Sequence, residues 1–312
     1  MIRAKSIALA GERSGERRAA APPSRPEKFC PHSIFMLHIR SRVLPRYLIP
    51  ILMLTLTIFG TSRLGRSLQS PESVDTDYIL ARSTETNEAD WQKAPDYDYF
   101  ECDHYQGDGS KSFAELMILG SRYERLVAID GKPLSHDEER WEQQRLDATV
   151  LRRRNESALE RSRRLEQYEK TRKRDHSLIG QISRAFHFEY LGEQSLEGRD
   201  VYVLRATPRP DYRPPNLETE VLKGMEGELW VDKESFNWVR VEAQVIHPVS
   251  IVSYLARVEP GTKFELEMSP VAGGMWLPSH FAMRARAKVL FFFRHESQQD
   301  ESYYGYHPSP QY

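Results

Sequence analysis

The residue types that do chemistry are present, but their spacing does not assemble them. His104, His136, His176, His187, His247, His280, His295 and His307 are scattered, and none falls into a His-x-His or His-Glu-x-x-His pattern. Those spacings are what bring two ligands to one face of a strand or helix, so no metal site is expected. Asp103-His104 invites a dyad, yet neighbours on a strand point to opposite faces. Gly107-Asp-Gly109 lacks the strand–glycine–helix setting of a phosphate loop, and no Gly-x-Ser-x-Gly elbow occurs. The chain has two cysteines, Cys30 and Cys102. If an N-terminal export segment is removed, Cys30 goes with it, and Cys102 is expected as a small buried hydrophobe without an intramolecular disulfide. The expectation is a protein that is not an enzyme and carries no cofactor.

The elements that would have to position any site are strands. Val239, Val241, Ala243 and Val245 alternate with Arg240, Glu242 and Gln244. Phe264, Leu266 and Met268 alternate with Lys263, Glu265 and Glu267, and Met283, Ala285, Ala287 and Val289 with Arg284, Arg286 and Lys288. A period of two puts each apolar set on one face and each charged set on the other, the pattern of antiparallel strands with one wet face. Turn clusters at 232–235, 259–262 and 271–274 separate them, giving a meander. Earlier, 97–105, 113–119 and 123–129 read as strands, and 74–92 as a helix capped by Ser73 or Asp75. The fold class expected is mainly β (α+β): a curved antiparallel sheet forming an incomplete barrel, covered by helices at about 74–92 and 177–186. Its apolar face then lines a concave interior.

Residues 136–178 break this pattern. They read as a long charged helical stretch with sparse apolar residues, expected to stand solvated outside the sheet. An arm touching anionic lipid headgroups or a partner is the other reading of the same stretch, set against acidic residues at nearly every turn.

The first seventy residues read as an address. Residues 48–59 form a twelve-residue apolar run, preceded by Arg40, Arg42 and Arg46 and followed by Gly60, Thr61 and Ser62. Basic region, short apolar region and small-residue exit are the parts of a secretory signal, and the run is short for a span of about 20 residues. Residues 36–70 are expected to be a signal peptide or, in the competing reading, a signal anchor at 48–59. Residues 1–35, rich in Arg, Ala and Pro, are expected to be a disordered extension or an over-reading upstream of a start at Met36. Residues 74–307 are then expected to form one β domain with the helical insertion at about 136–178. The formal net charge of the chain, −1 from 44 basic and 45 acidic residues, argues against a general nucleic-acid binder.

Three segments in the C-terminal half carry a resemblance. Val201-Tyr-Val-Leu-Arg-Ala-Thr-Pro208 is a strand ending in proline. Glu226-Gly-Glu-Leu-Trp-Val-Asp-Lys-Glu-Ser-Phe-Asn-Trp-Val-Arg-Val-Glu242 is a strand, a turn and a strand, and Gly274-Met-Trp-Leu-Pro-Ser279 enters a long strand. This order resembles the LolA/LolB-like superfamily, which includes lipoprotein carriers and the MucB/RseB sensor domains. The resemblance spans about 76–305 and is strongest in 200–290. It implies an exported, periplasmic carrier or sensor that holds acyl chains or a lipidated protein, with an envelope protein as a further partner and membrane contact through the N-terminal segment. The residues expected to line the cavity come from the alternation: Val239, Val241, Val245, Phe264, Leu266, Met268, Met283 and Val289. The alternative is a structural or interaction module of the envelope with a filled core and no ligand.

Overall fold

Thirteen antiparallel strands share one sheet, in the order β4-β3-β2-β1-β13-β12-β11-β8-β7-β6-β5, with β9 and β10 attached beside β12. The computed structural model describes residues 74–105, 109–251, 256–289 and 293–310. The N-terminal extension, the apolar run at 48–59 and its flanks lie outside the described residues. The strands of the N-terminal part are β1 (Tyr97–Tyr105), β2 (Gly109–Ile118), β3 (Ser121–Ile129) and the short β4 (Lys132–Pro133). Those of the C-terminal part are β5 (Phe186–Leu196), β6 (Arg199–Pro208), β7 (Met225–Asp232), β8 (Trp238–Val245), β9 (Val249–Ile251), β10 (Ala256–Val258), β11 (Lys263–Pro270), β12 (Trp276–Val289) and β13 (Phe293–Pro308). The edges, β4 and β5, do not pair with each other, so the sheet curves without closing. That is the incomplete barrel expected from the alternation.

The register explains what the inner face is made of. One cross-strand row runs Leu204, Leu229, Val241, Leu266 and Phe281 across β6, β7, β8, β11 and β12. The same row continues into Glu301 on β13 and Asp103 on β1. Cross-strand neighbours pack as a unit, so the row forms a continuous apolar band that turns acidic at β13. The outward row beside it carries Arg205, Glu228, Glu242 and Glu265, which is the wet face.

Helices cover the inner face, and they dock through polar side chains. Helix α1 (Thr76–Lys93) starts at Asp75, whose carboxylate accepts from Tyr78 N. Its buried positions are Ile79, Ser83 and Asn87, so little of its contact is apolar. Ser83 Oγ accepts from Trp238 Nε1 at 2.7 Å, and Asp90 accepts from Asn237 Nδ2 at 2.7 Å and from Trp276 N at 3.0 Å.

The charged stretch forms a helical hairpin, α2 (His136–Arg154) and α3 (Ala158–Asp175), each opened by a capping box, Ser135 with Glu138 and Ser157 with Glu160. It does not stand clear of the sheet. The buried residues of α2 are Glu142, Thr149 and Arg153, and that of α3 is Arg172. Arg153 donates to the carbonyls of Ile118 and Ser121, each at 2.8 Å, and Arg164 donates to that of Leu119 at 3.1 Å. Arginine supplies several fixed donors and matches the bare carbonyls of a tight turn. The β2–β3 turn itself is Leu119-Gly120, both at positive φ, the two-residue hairpin geometry. A 3₁₀ turn (Ile179–Gln181) and the short α4 (Ile182–Ala185) lead back into β5.

Candidate functional site on the inner face

An apolar recess of about 260 Å³ lies between the inner face and the segment that ends the helical hairpin. Val241, Phe264, Leu266, Phe281 and Met283 form its floor, from β8, β11 and β12. Leu229 and Trp238 extend it toward β7, and Ile179 and Ile182 face it from the 3₁₀ turn and α4. The strands place these side chains together because their register puts Val241 opposite Leu266, Leu266 opposite Phe281, and Phe264 opposite Met283. A larger trough of about 740 Å³ shares Phe264 and Met283 with the recess, but Arg205, Glu228, Glu242 and Glu265 of the outward row also line it, so its walls are of mixed polarity.

Of the eight residues read as cavity lining, the structure brings Val241, Phe264, Leu266 and Met283 to the recess. Val239 does not reach it. The β7–β8 pairing shifts register between Trp230 and Val231, so β8 carries an extra residue there, and Val239 packs with Val201, Val203, Trp230 and Trp276. Val245 is buried opposite Met225 at the end of β8, outside the recess lining. Met268 lies beside a second register shift, where β12 carries the extra residue Ser279, and lines a smaller space of about 60 Å³ together with Leu266, Trp238 and Trp276. Strict alternation cannot foresee either shift. The side chain of Val289 lies outside the described residues.

Beside the recess the inner face becomes acidic. Glu101, Asp103 and Glu301 are all buried, and their carboxylate oxygens converge within 4.8 Å. Phe281 links the two zones: it is the cross-strand neighbour of Glu301 and packs with Tyr99 and Tyr303. Gln299 and Tyr303 each donate to the Glu301 carboxylate. Burial, reinforced by the nearby carboxylates of Glu115, Asp103 and Glu301, pushes the Glu101 carboxyl up to about 9. At neutral pH this cluster therefore holds a proton on Glu101. Three oxygen donors this close are the ligand type hard cations take, and this is the group among the described residues whose donors converge closely enough.

The acidic zone escapes a reading of the sequence that assigns charges to the wet face. The signal is there: Tyr99-x-Glu101-x-Asp103 and Gln299-x-Glu301-x-Tyr303 have the same period of two as the apolar sets. The Asp103-His104 dyad does not form, since Asp103 shares the inner face with Glu101 and Glu301 while His104 lies one residue on. One expectation is corrected. Cys102 is buried and disulfide-bonded. The expectation of an unpaired Cys102 assumed removal of the segment that contains Cys30, the chain's other cysteine, which lies outside the described residues.

No family model matches the chain, and no curated protein matches it. Solved structures do. A LolA superfamily protein from Nitrosomonas europaea matches at 11% identity and a TM-score of 0.29, covering 77% of this chain and 96% of that one. A proposed outer membrane lipoprotein-sorting protein domain from Vibrio parahaemolyticus matches at 12% identity and a TM-score of 0.25, covering 73% and 92%. The MucA/MucB complex of Pseudomonas aeruginosa matches at 14% identity and a TM-score of 0.22, covering 75% and 98%. At such scores the likeness carries nothing about ligand or partner.

Proposed function

We propose that the chain is an exported, periplasmic carrier or sensor, without enzymatic activity, that shelters an acyl chain of a lipid or of a lipidated protein in the recess on its inner face. The domain that does this runs from about 74 to 307. The observation that carries the reading is the recess itself, about 260 Å³ of space floored by apolar side chains from three strands and faced by Ile179 and Ile182. That volume lies just under the roughly 300–1,000 Å³ usual for small-molecule sites, and apolar lining with few polar groups suits a hydrocarbon. Apolar surface left in a water-accessible recess is costly, and covering it with methylenes gains about 0.8 kcal/mol for each one buried.

Native mass spectrometry of protein purified from membranes tests this. A carrier retains adducts with the mass of lipids or fatty acids, and they are lost when Val241 or Met283 is enlarged. A bare protein peak, unchanged after incubation with fatty acid, would leave the module with a filled core and no ligand.

A further inference from the structure

The tip of the α2–α3 hairpin exposes large apolar residues among charge that is mostly positive. Leu151 is 62% exposed and Leu159 59%, on either side of the turn between the helices. One exposed leucine needs no explanation. Here, however, residues 151–164 contain six arginines and two glutamates, a net charge of +4.

Part of that charge is used inside the protein. Arg153 and Arg164 hold the β2–β3 turn, and Arg164 also pairs with Glu156 at 2.8 Å. Glu160 is engaged as well, its carboxylate accepting from the amide and hydroxyl of Ser157. Arg152, Arg154, Arg161 and Arg163 remain, all exposed. The ion pairs of the hairpin among the described residues use Arg140, Arg145, Arg164, Arg172 and Arg174 instead.

Helix electrostatics explains half of this arrangement. Arg152 and Arg154 sit in the last turn of α2, where cations are favoured. Arg161 and Arg163 follow Glu160 of the first turn of α3, at positions where the helix dipole gives cations no advantage. The acidic first turn of α2, Asp137 to Glu139, lies about 20 Å along the helix from Arg152. The acidic start of α2 is therefore remote from the tip, whose own acids are Glu156 and Glu160.

We propose that this tip docks on an anionic phospholipid bilayer, with Arg152, Arg154, Arg161 and Arg163 on the headgroup phosphates and Leu151 and Leu159 entering the interface. A basic cluster and an apolar anchor are the two signals that together hold a protein at a membrane surface reversibly. The guanidinium fork suits phosphate oxygens. This surface lies on a different element from the recess, and the proposal stands whether or not the recess holds a ligand.

Sedimentation of the full chain with vesicles tests it, comparing phosphatidylglycerol/phosphatidylcholine mixtures with phosphatidylcholine alone. Binding is expected to favour the anionic vesicles and to fall at 0.5 M salt, a condition set about threefold above physiological ionic strength. The double variant Arg161→Glu/Arg163→Glu should lower partitioning on anionic vesicles by at least about tenfold. Both sites are exposed and glutamate is as good a helix former as arginine, so a melting temperature close to the wild type separates lost docking from lost folding. Leu151→Ser/Leu159→Ser should lower partitioning with the anionic preference kept. Equal binding to both vesicle types, or both double variants binding like the wild type, would overturn the proposal.

Discussion

Arg172 on α3 meets Trp91 on α1 in two ways at once. Its guanidinium carbon lies 4.5 Å from the centre of the indole ring, and its Nη2 donates to the Trp91 carbonyl at 2.8 Å. His176 stacks on the same ring at 4.1 Å. The contact joins the end of the inserted hairpin to the helix that covers the sheet, and it does so without an aliphatic residue. Arg172→Met keeps the stem and loses both interactions. It is expected to destabilise the protein by about 1–3 kcal/mol, from a lost cation–π contact and a carbonyl left without its donor. Urea unfolding checks this, and an unchanged midpoint would show that the hairpin is held elsewhere.

Gly120 tests the docking of α3 from the other side. It has φ +87°, and a Cβ there would come within 3.0 Å of Leu165 Cδ2. Gly131 has φ +67° and open space around the same position. Alanine at Gly131 is expected to cost the backbone strain alone, about 1 kcal/mol, while alanine at Gly120 costs more because Leu165 must move. Equal losses in melting temperature would mean that α3 does not press on the β2–β3 turn.

The acidic zone makes stability depend on pH in a definite direction. Glu101 titrates near 9 in the folded protein and near 4.5 when unfolded. The folded state therefore binds the extra proton between those values, and folding loses stability as pH rises through that window. The contribution is complete below pH 4.5 and gone above about 9. Glu101→Gln removes this titration. Between pH 5 and pH 9 the variant is expected to lose less stability than the wild type. Parallel curves would place the proton elsewhere.

Much of the fold is legible in the sequence because it rests on a period of two. The alternation in β8, β11 and β12 identifies an antiparallel sheet with one apolar face, and three of the four predicted residues that reach the recess come from β11 and β12. What alternation cannot supply are the register shifts beside Val239 and Met268, where β8 and β12 each carry one extra residue and the cross-strand partners change. The docking of the hairpin is hidden for a different reason. Sparse apolar residues suggest a solvated stretch, but Arg153 and Arg172 are buried because backbone carbonyls and an indole ring receive them. The acidic zone is hidden because a carboxylate on a strand reads as solvent-facing until its neighbours across the sheet are known.

Export rests on the arginines before residues 48–59 and on the apolar run itself. Fusing residues 36–75 to a reporter that is active only in the periplasm is expected to give activity. Retention of that fusion in the cytoplasm would remove the localisation from the proposed function.

Titration with a fluorescent fatty acid asks whether the recess takes up a hydrocarbon chain. Val241 is half-buried on the recess floor, so Val241→Trp fills the space from within. Overpacking of this kind costs about 1–3 kcal/mol, which leaves a folded protein whose melting can be checked in parallel. Saturable binding is expected for the wild type, and binding at least about tenfold weaker for the folded variant, the loss of roughly two buried methylenes. A wild type that shows no saturable binding, or a folded variant that binds the probe as well as the wild type, would contradict this uptake.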